Sequence, residues 1–518
     1  MSESRKKNSA KNLAVSLCSY VLYTVISFAL RAVFIKTLGE IYLGISGLFS
    51  NVLTLLSFAE LGVEQAVAFH LYKPLAQNNK EKVASLMLLY RTAYRIIGTF
   101  VIVAGLVVIP FFGFIIKEKP DISENLIVIY LFYLLNTGLS YFFSYKQTLI
   151  SAAQKSYIIS GYGIVFKFLS VIFQAAVLLA FKSFYGYLAV QLVMMITQNI
   201  MLAVKANRMF PEINGKNIKK LDSEERKEIF SGIRDLLVYK IGSMLMNGTD
   251  NIIITRIISL SAVGFADNYR MIITAISAVV DQIPKAVTAS VGNLNATSDK
   301  ERKYSVYKLM VFICGWIYGF CASGVFIFGS SFVELMFGEK WVLEPITVFA
   351  LASTFYVSSL HSPTSTYRVT SGAFVHGKYV ALISAVMNVV LSVILGKYIG
   401  LSGVFFATTI TRISSYGAVD TYVVYKYVFK RNPLEYVAMC LYYFSCASVS
   451  TLGGWFAIRY VGLSGISGFV VKLVIYSIVF NVAYLIFTFK TKQFKEVYDI
   501  IYNDFLKKIF SKLKTKEG

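Results

Sequence analysis

The chain has 518 residues, of which 56% are apolar and only 15% charged, with a mean hydropathy of +0.62. A soluble domain is roughly a quarter charged, so the composition excludes a disordered chain, a disulfide scaffold and almost any cytosolic enzyme. The net charge of +23 would suggest nucleic acid in a soluble protein, but basic cytoplasmic loops of a polytopic membrane protein account for it, and no nucleic-acid partner is expected.

A spanning helix needs about 20 mostly apolar residues. In chain order, fourteen segments qualify: 13–35, 41–68, 86–112, 124–150, 160–181, 185–206, 233–257, 262–290, 305–329, 345–372, 379–396, 402–426, 435–458 and 466–489. The opening MSESRKKNSAKN (1–12) is polar and basic. The run after it holds Arg31 and Lys36 and lacks an A-x-A-type site, so it reads as a retained first membrane helix and not as a cleaved signal. An even number of spans puts both termini on one side. Lys and Arg crowd the N-terminus, the loops after helices 2, 4, 6, 8, 10 and 12, and the C-terminal tail. The opposite loops carry Lys36, Lys117, Lys119, Lys182, Lys340, Lys397 and Arg459. Both termini are therefore expected in the cytoplasm.

The longest internal loop, 207–232, is polar and divides the chain after helix 6. Helices 13 and 14 occupy 435–489. In the tail (490–518), Phe494, Val497, Ile501, Phe505 and Ile509 recur at three- and four-residue spacing between lysines. That pattern predicts an amphipathic basic helix on the inner leaflet. The cysteines Cys18, Cys314, Cys321, Cys440 and Cys446 all lie in apolar runs, and His70, His361 and His376 are the only histidines. Neither a zinc site nor a disulfide framework is suggested.

The sequence repeats itself. A shift of 220 residues lays AVFIKTLGEIYLGISGLFSN over IIITRIISLSAVGFADNYR without a gap, with Lys36 on Arg256 and Gly44 on Gly264. In the next loop KEKVAS (80–85) falls on KERKYS (300–305). Tyr145-Lys146 aligns with Tyr367-Arg368 at a shift of 222, and Ile196-Thr197-Gln198 with Ile410-Thr411-Arg412 at 214. Two similarly oriented six-helix lobes are expected, an N-lobe over 13–206 and a C-lobe over 233–426. Transporters built from parallel repeats bind substrate at the repeat interface.

Ionisable residues inside membrane helices are costly and face a cavity or a partner. Here they include Arg31, Lys36, Glu60, Glu64, Lys146, Lys167, Asp250, Arg256, Asp267, Arg270, Asp281, Lys285, Arg368, Arg412 and Asp420. Residues near helix ends can snorkel to the headgroups. For the deeper ones, the sequence leaves open a cavity role or an internal salt bridge. Basic residues outnumber acidic ones, which suits an anionic head group such as phosphate or pyrophosphate, gripped by the fork of arginine. Arg31, Lys146, Arg256, Arg270, Arg368 and Arg412 are the candidate ligands. Glu60, Glu64, Asp250 and Asp281 are candidate coupling or salt-bridge carboxylates, so H⁺ or Na⁺ coupling stays open and no other cofactor is expected. Tyr141, Tyr145 and Tyr367 share segments with these cations; packing is the expected use of their rings, and stacking on a sugar ring is the alternative. No G-x-x-x-x-G-K-[ST], G-x-S-x-G or H-E-x-x-H motif occurs, so no enzyme is expected.

The segments LGEIYLGISGLFSNVLTLLSFAELGVEQAVAFHLYKPLAQNNKEKVASLM (38–87), SYKQTLISAAQKSY (144–157) and GLSGVFFATTITR (400–412) resemble those of Wzx-type flippases for polysaccharide repeat units. These belong to the multidrug/oligosaccharidyl-lipid/polysaccharide exporter superfamily. With the helix count and the repeat, the resemblance covers nearly the whole chain. It implies a V-shaped pair of six-helix bundles around a central cavity plus two C-terminal helices. It implies an undecaprenyl-pyrophosphate-linked glycan as substrate, moved across the bacterial cytoplasmic membrane among membrane lipids, with the polymerase and glycosyltransferases of a capsule or exopolysaccharide pathway as partners. Related lipid II flippases use cationic cavity residues on helices 1 and 7, whose nearest counterparts here are Arg31 and Arg256. They also hold the lipid tail in a groove of helices 13 and 14. A cation or drug antiporter and a lipid II-type flippase of the same fold are competing readings, as is a polytopic glycan polymerase or ligase.

Overall fold

A computed structural model of the chain describes residues 24–60, 77–116, 120–153, 155–215, 218–227, 248–281, 299–371 and 379–500, together with positions 22, 70, 71, 74, 75, 229 and 291. The expectations for Glu64, Lys285, Cys18, the N-terminal segment 1–12, the first part of helix 7 and the tail beyond 500 lie outside these residues. Among the described residues the secondary structure is helical, with no strand. The chain is an all-α polytopic membrane protein. Among the described residues, eight helices are long and apolar enough to cross a bilayer.

The helices follow the sequence pattern closely. α1 covers 24–38, and Gly39, at φ +91°, turns the chain into α2 (Glu40–Leu56), which ends in the 3-10 turn Ser57–Glu60. α3 (Lys80–Val108) is capped by Asn79 and α4 (Leu126–Ala152) by Asn125. Each cap satisfies a backbone N–H that the first helical turn leaves unpaired. α5 (Ser156–Phe181) and α6 (Phe184–Met209) complete the first set. Then come α7 (Asp250–Ile257), α8 (Leu260–Val280) and α9 (Lys300–Phe337), the last capped by Asp299. α10 is broken at His361 into Pro345–Leu360 and Ser362–Thr370. The helical run Val380–Phe429 departs from helical dihedrals at Ile399 and Gly400, which separates α11 (380–398) from α12 (401–429). Gly400 takes φ +64° there, a value L-residues avoid. α13 (Leu434–Arg459), α14 (Gly465–Thr488) and a short α15 (Lys492–Ile500) close the chain.

Two compact units result. One takes the chain to Asp267 together with Ala381–Val404; the other takes Asn268–Val380 and everything from Phe405 onward. The first unit has a core on α3 and α4, built from Val83, Leu86, Met87, Tyr90, Tyr94, Tyr141, Tyr145 and Leu149. Leu221 and Ile229 are buried in that core, and Phe210 and Ile213 pack against it. The polar loop after helix 6 is thus docked by its few apolar residues. Ion pairs of Lys82 with Glu225 and of Lys219 with Glu81 sit beside this docking. The core of the second unit runs along α9 and is aromatic, with Tyr304, Tyr307, Phe312, Tyr318, Tyr367, Tyr425, Phe429, Tyr443, Phe480 and Tyr484. Phe494 and Val497 of α15 pack against it. Outside both cores, Phe114, Phe181 and Ile466 are among many exposed apolar side chains, the surface expected where hydrocarbon is the solvent.

The repeat has a physical counterpart inside the first unit. α2 and the first turns of α8 cross where Gly44 meets Leu260 and Gly264 meets Glu40 and the Gly44 backbone. A Cβ at Gly44 would stand 2.2 Å from the Leu260 carbonyl oxygen, and one at Gly47 would stand 2.2 Å from Asp267 Oδ2. The two glycines that the 220-residue shift equates are the ones that touch. Small residues let membrane helices approach this closely. Gly44→Ala is expected to cost about 1–3 kcal/mol through overpacking against backbone, read as a lower thermal unfolding midpoint in detergent. Gly161→Ala, whose Cβ meets open space, should leave the midpoint unchanged or raise it.

Candidate functional site

The intramembrane charges fall into separate groups within the two units. In the first unit, Arg31 is half-buried on α1, with Asp267 and Tyr187 as its electrostatic neighbours. The absence of a side chain at Gly47 gives the Asp267 carboxylate its place beside α2. Glu60 closes the 3-10 turn after α2 and accepts a hydrogen bond of 2.7 Å from the Tyr94 hydroxyl. Tyr90 in turn donates to Tyr94 at 3.0 Å and lies 3.2 Å from the Thr148 hydroxyl. A carboxylate is thereby held at the end of a chain of hydroxyls, which replaces the water it has lost.

Lys146, half-buried on α4, donates to Asn207 Oδ1 of α6 at 2.8 Å. Asp250 is buried in the first turn of α7. Arg256, at the other end of that helix, is exposed and lies 5.9 Å from the centroid of the Phe114 ring. Neither Lys146 nor Arg256 has a carboxylate within ion-pair distance among the described residues.

In the second unit, Arg270 is half-buried on α8 and lies 5.1 Å from the centroid of the Phe405 ring, a cation–π arrangement. Asp281 accepts from the Tyr318 hydroxyl at 2.6 Å. Carboxylates near the ends of helices 2 and 8 are thus held in the same way, each by a tyrosine of the following helix.

The most concentrated group sits where α10 breaks and α12 widens into a π-helical turn. Asp420, fully buried, takes Arg368 on Oδ1 and His361 Nε2 on Oδ2 at 3.1 Å. Arg368 is 2% exposed. Arg412 lies in electrostatic reach of His361. His361 occupies the break in α10, between two helices that share its backbone turn. Arg412 opens a π-helical stretch, Arg412–Gly417. A Cβ at Gly417 would stand 2.5 Å from the Arg412 carbonyl oxygen, so glycine permits the wide turn. Such π segments recur at functional sites because they re-aim side chains within a helix.

The structure therefore brings Arg368 and Arg412 into one neighbourhood. Within their units, Arg31, Lys146, Arg256 and Arg270 each sit in other surroundings. His361 and Asp420 belong to the Arg368 cluster, yet sequence reasoning gave them no site role. Their spacing carried a signal: His361 is seven residues before Arg368, two turns along one face.

Breaking a buried pair costs about 3–5 kcal/mol, because one charge is left uncompensated. Asp420→Asn should therefore lower the unfolding midpoint sharply. The double variant Arg368→Met/Asp420→Leu should recover much of the loss, since neither charge then remains.

No family model matches the chain, and no curated protein matches it either. Solved structures do match. The chain is similar to the lipid II flippase MurJ in an inward closed conformation, with 15% identity and a TM-score of 0.64, covering 92% of this chain and 98% of that one. It is similar to a multidrug resistance MATE family transporter of the MOP superfamily in its inward-facing conformation, with 13% identity, a TM-score of 0.62 and coverage of 84% and 98%. It is also similar to a mutant of the Vibrio cholerae MATE transporter VcmN, with 13% identity, a TM-score of 0.57 and coverage of 84% and 100%. The fold is the one these MOP-superfamily transporters share.

Proposed function

We propose that this chain is a flippase that carries undecaprenyl-pyrophosphate-linked oligosaccharide repeat units across the bacterial cytoplasmic membrane, for a capsule, exopolysaccharide or related surface glycan. The observation that carries the reading is that membrane helices carry cations with no carboxylate beside them among the described residues. Among the described residues, Lys146 on α4 is met by the Asn207 amide and the Tyr145 ring, and Arg256 on α7 by the Phe114 ring. An uncompensated cation in a bilayer is costly, and a pyrophosphate offsets that cost with charge-assisted hydrogen bonds. Similarity of fold to MurJ and to MATE transporters supports transport as the class of activity.

The mechanism follows from the same physics. Pyrophosphate and sugars cannot cross hydrocarbon without losing their hydration. Cationic side chains on the helices replace part of that hydration, while the polyprenyl tail stays in the bilayer. Arg31, Lys146 and Arg256 of the first unit, and Arg270 and Arg412 of the second, are the cations each unit would offer an anionic group in this scheme. Arg368, held by Asp420, would fix the α10–α12 region that presents Arg412. Glu60, Asp250 and Asp281 would be the groups that take up H⁺ or Na⁺ if transport is ion-driven. Both termini would lie in the cytoplasm, and the glycosyltransferases and polymerase of the pathway would supply and consume the lipid-linked unit.

The test is reconstitution into vesicles with a fluorescently labelled polyprenyl-pyrophosphate oligosaccharide, scored by accessibility of the label on either leaflet. Arg256→Ala and Arg270→Ala should each slow transfer by about tenfold or more, the loss of ~1.4 kcal/mol of interaction, while the amount of protein in the vesicles is unchanged. Wild-type vesicles that expel a cationic dye and leave the lipid untransferred would instead identify a drug exporter.

A further inference from the structure

Two arginines that the interior-charge argument did not include lie beside Lys146. Arg91 and Arg95 are one turn apart on α3 and exposed, and neither makes a hydrogen bond or ion pair among the described residues. The Lys146 ammonium lies 5.7 Å from the centroid of the Tyr145 ring, and Tyr145 shares one core with Tyr90 and Tyr94, the chain neighbours of Arg91 and Arg95 on α3. Both arginines are in electrostatic reach of Tyr145, and Arg91 also of Lys146. Tyr145 is buried against α3 in the first unit's core. Three cations from two helices thus converge on one buried tyrosine, and the one hydrogen bond among them runs from Lys146 to the neutral Asn207. Like charges one turn apart destabilise a helix.

Their level is fixed by the sequence. Arg95 immediately precedes the uncharged run 96–116 of helix 3, and Lys146 immediately follows the uncharged run 126–145 of α4. Each run is long enough to span the hydrocarbon layer of roughly 30 Å, and the two helices are antiparallel neighbours. All three cations therefore stand at the same edge of the hydrocarbon, where lipid phosphates lie. On the positive-inside reading this is the cytoplasmic leaflet.

The repeat supplies an internal control. Tyr145-Lys146 corresponds to Tyr367-Arg368, and the 214-residue shift for helices 6 and 12 carries Asn207 to Thr421, next to Asp420. In the second unit the equivalent cation is neutralised by an aspartate. Positions 311 and 315, which correspond to Arg91 and Arg95 at the shift of 220, are a buried valine and a buried glycine. The first copy of the repeat carries two further cations and lacks the acid.

We propose that Arg91, Arg95 and Lys146 form a binding site for a phosphoryl group at the headgroup level of the membrane, with Tyr145 as its floor. The chemistry fits a phosphomonoester or pyrophosphate on a lipid and equally a free phosphate. Arginine forks meet phosphate oxygens in bidentate fashion, and the lysine adds a point charge. The inference does not rest on the transport reading, because a protein that moves no lipid would still hold the group.

The experiment is native mass spectrometry of the full chain in mild detergent, titrated with phosphatidic acid, with phosphatidylcholine and with inorganic phosphate. The wild type should retain phosphatidic acid in preference to phosphatidylcholine. Arg91→Gln/Arg95→Gln should weaken that retention by about tenfold or more, equivalent to ~1.4 kcal/mol. Lys146→Met should weaken it and Lys146→Arg restore it. Lys397→Gln, a surface cation outside the cluster, should leave it unchanged. Displacement of the lipid by millimolar inorganic phosphate would identify the phosphoryl group itself as what is bound. Persistence of the lipid against phosphate would identify a lipid headgroup. Because both arginines are exposed, the double variant should elute and unfold as the wild type does. Equal retention of the two lipids by the wild type, or undiminished binding by a folded double variant, would overturn the proposal.

Discussion

The cost of holding an ionised side chain away from water organises this molecule. Hydrocarbon offers no hydrogen bonds, so each charge on a membrane helix must bring its own solvation. The chain solves this in several chemically distinct ways. Glu60 and Asp281 are solvated by tyrosine hydroxyls. Arg368 and His361 share the two oxygens of Asp420. Arg270 and Arg256 lie against aromatic faces, and Lys146 is met by an amide. The abundance of tyrosine follows from the same need. A phenol brings apolar bulk for packing and one hydroxyl for a neighbouring polar group.

This view separates charges that build the protein from charges that remain available. A cation bound to a buried carboxylate has spent its electrostatic potential inside the fold. One resting on a ring or an amide keeps most of its field, since those partners carry no net charge. The repeat makes the contrast visible at equivalent positions: Lys146 keeps its charge uncancelled, and Arg368 does not. The neighbours of these two positions on helices 6 and 12 differ, an amide facing Lys146 and a carboxylate facing Arg368.

Much of the architecture was legible in the sequence, because hydropathy in a bilayer is nearly a one-dimensional signal. Helices 3 to 6, 9, 13 and 14 appear close to where their apolar runs lie. The Gly44–Gly264 correspondence came from alignment alone and proved to be a contact. What stayed hidden was pairing. The shared partner of Arg368 and His361, Asp420, lies 52 residues after Arg368 on another helix, and no periodicity links it to them. The break at His361 and the π-helical turn at Arg412 are backbone departures with no composition of their own. Arg91 and Arg95 fall within the expected span 86–112 but toward the end expected in the cytoplasm, where basic residues are ordinary. Their convergence on Tyr145 needed the packing of α3 on α4. The docking of the loop after helix 6 was equally invisible, since its anchoring residues Leu221 and Ile229 stand within a strongly polar stretch.

The division into two compact units has a topological consequence. The backbone passes from one unit to the other after Asp267, returns after Val380 and leaves again after Val404. Three covalent crossings join what a simple tandem arrangement would join by one. Cutting the polar loop at 207–232 would therefore sever the polypeptide within the first unit and release neither as an intact body. Complementary fragments would have to reassemble across a shared core. The first unit takes its last segment, Ala381–Val404, from beyond the start of the second, and cannot reach its final form until that segment has been translated.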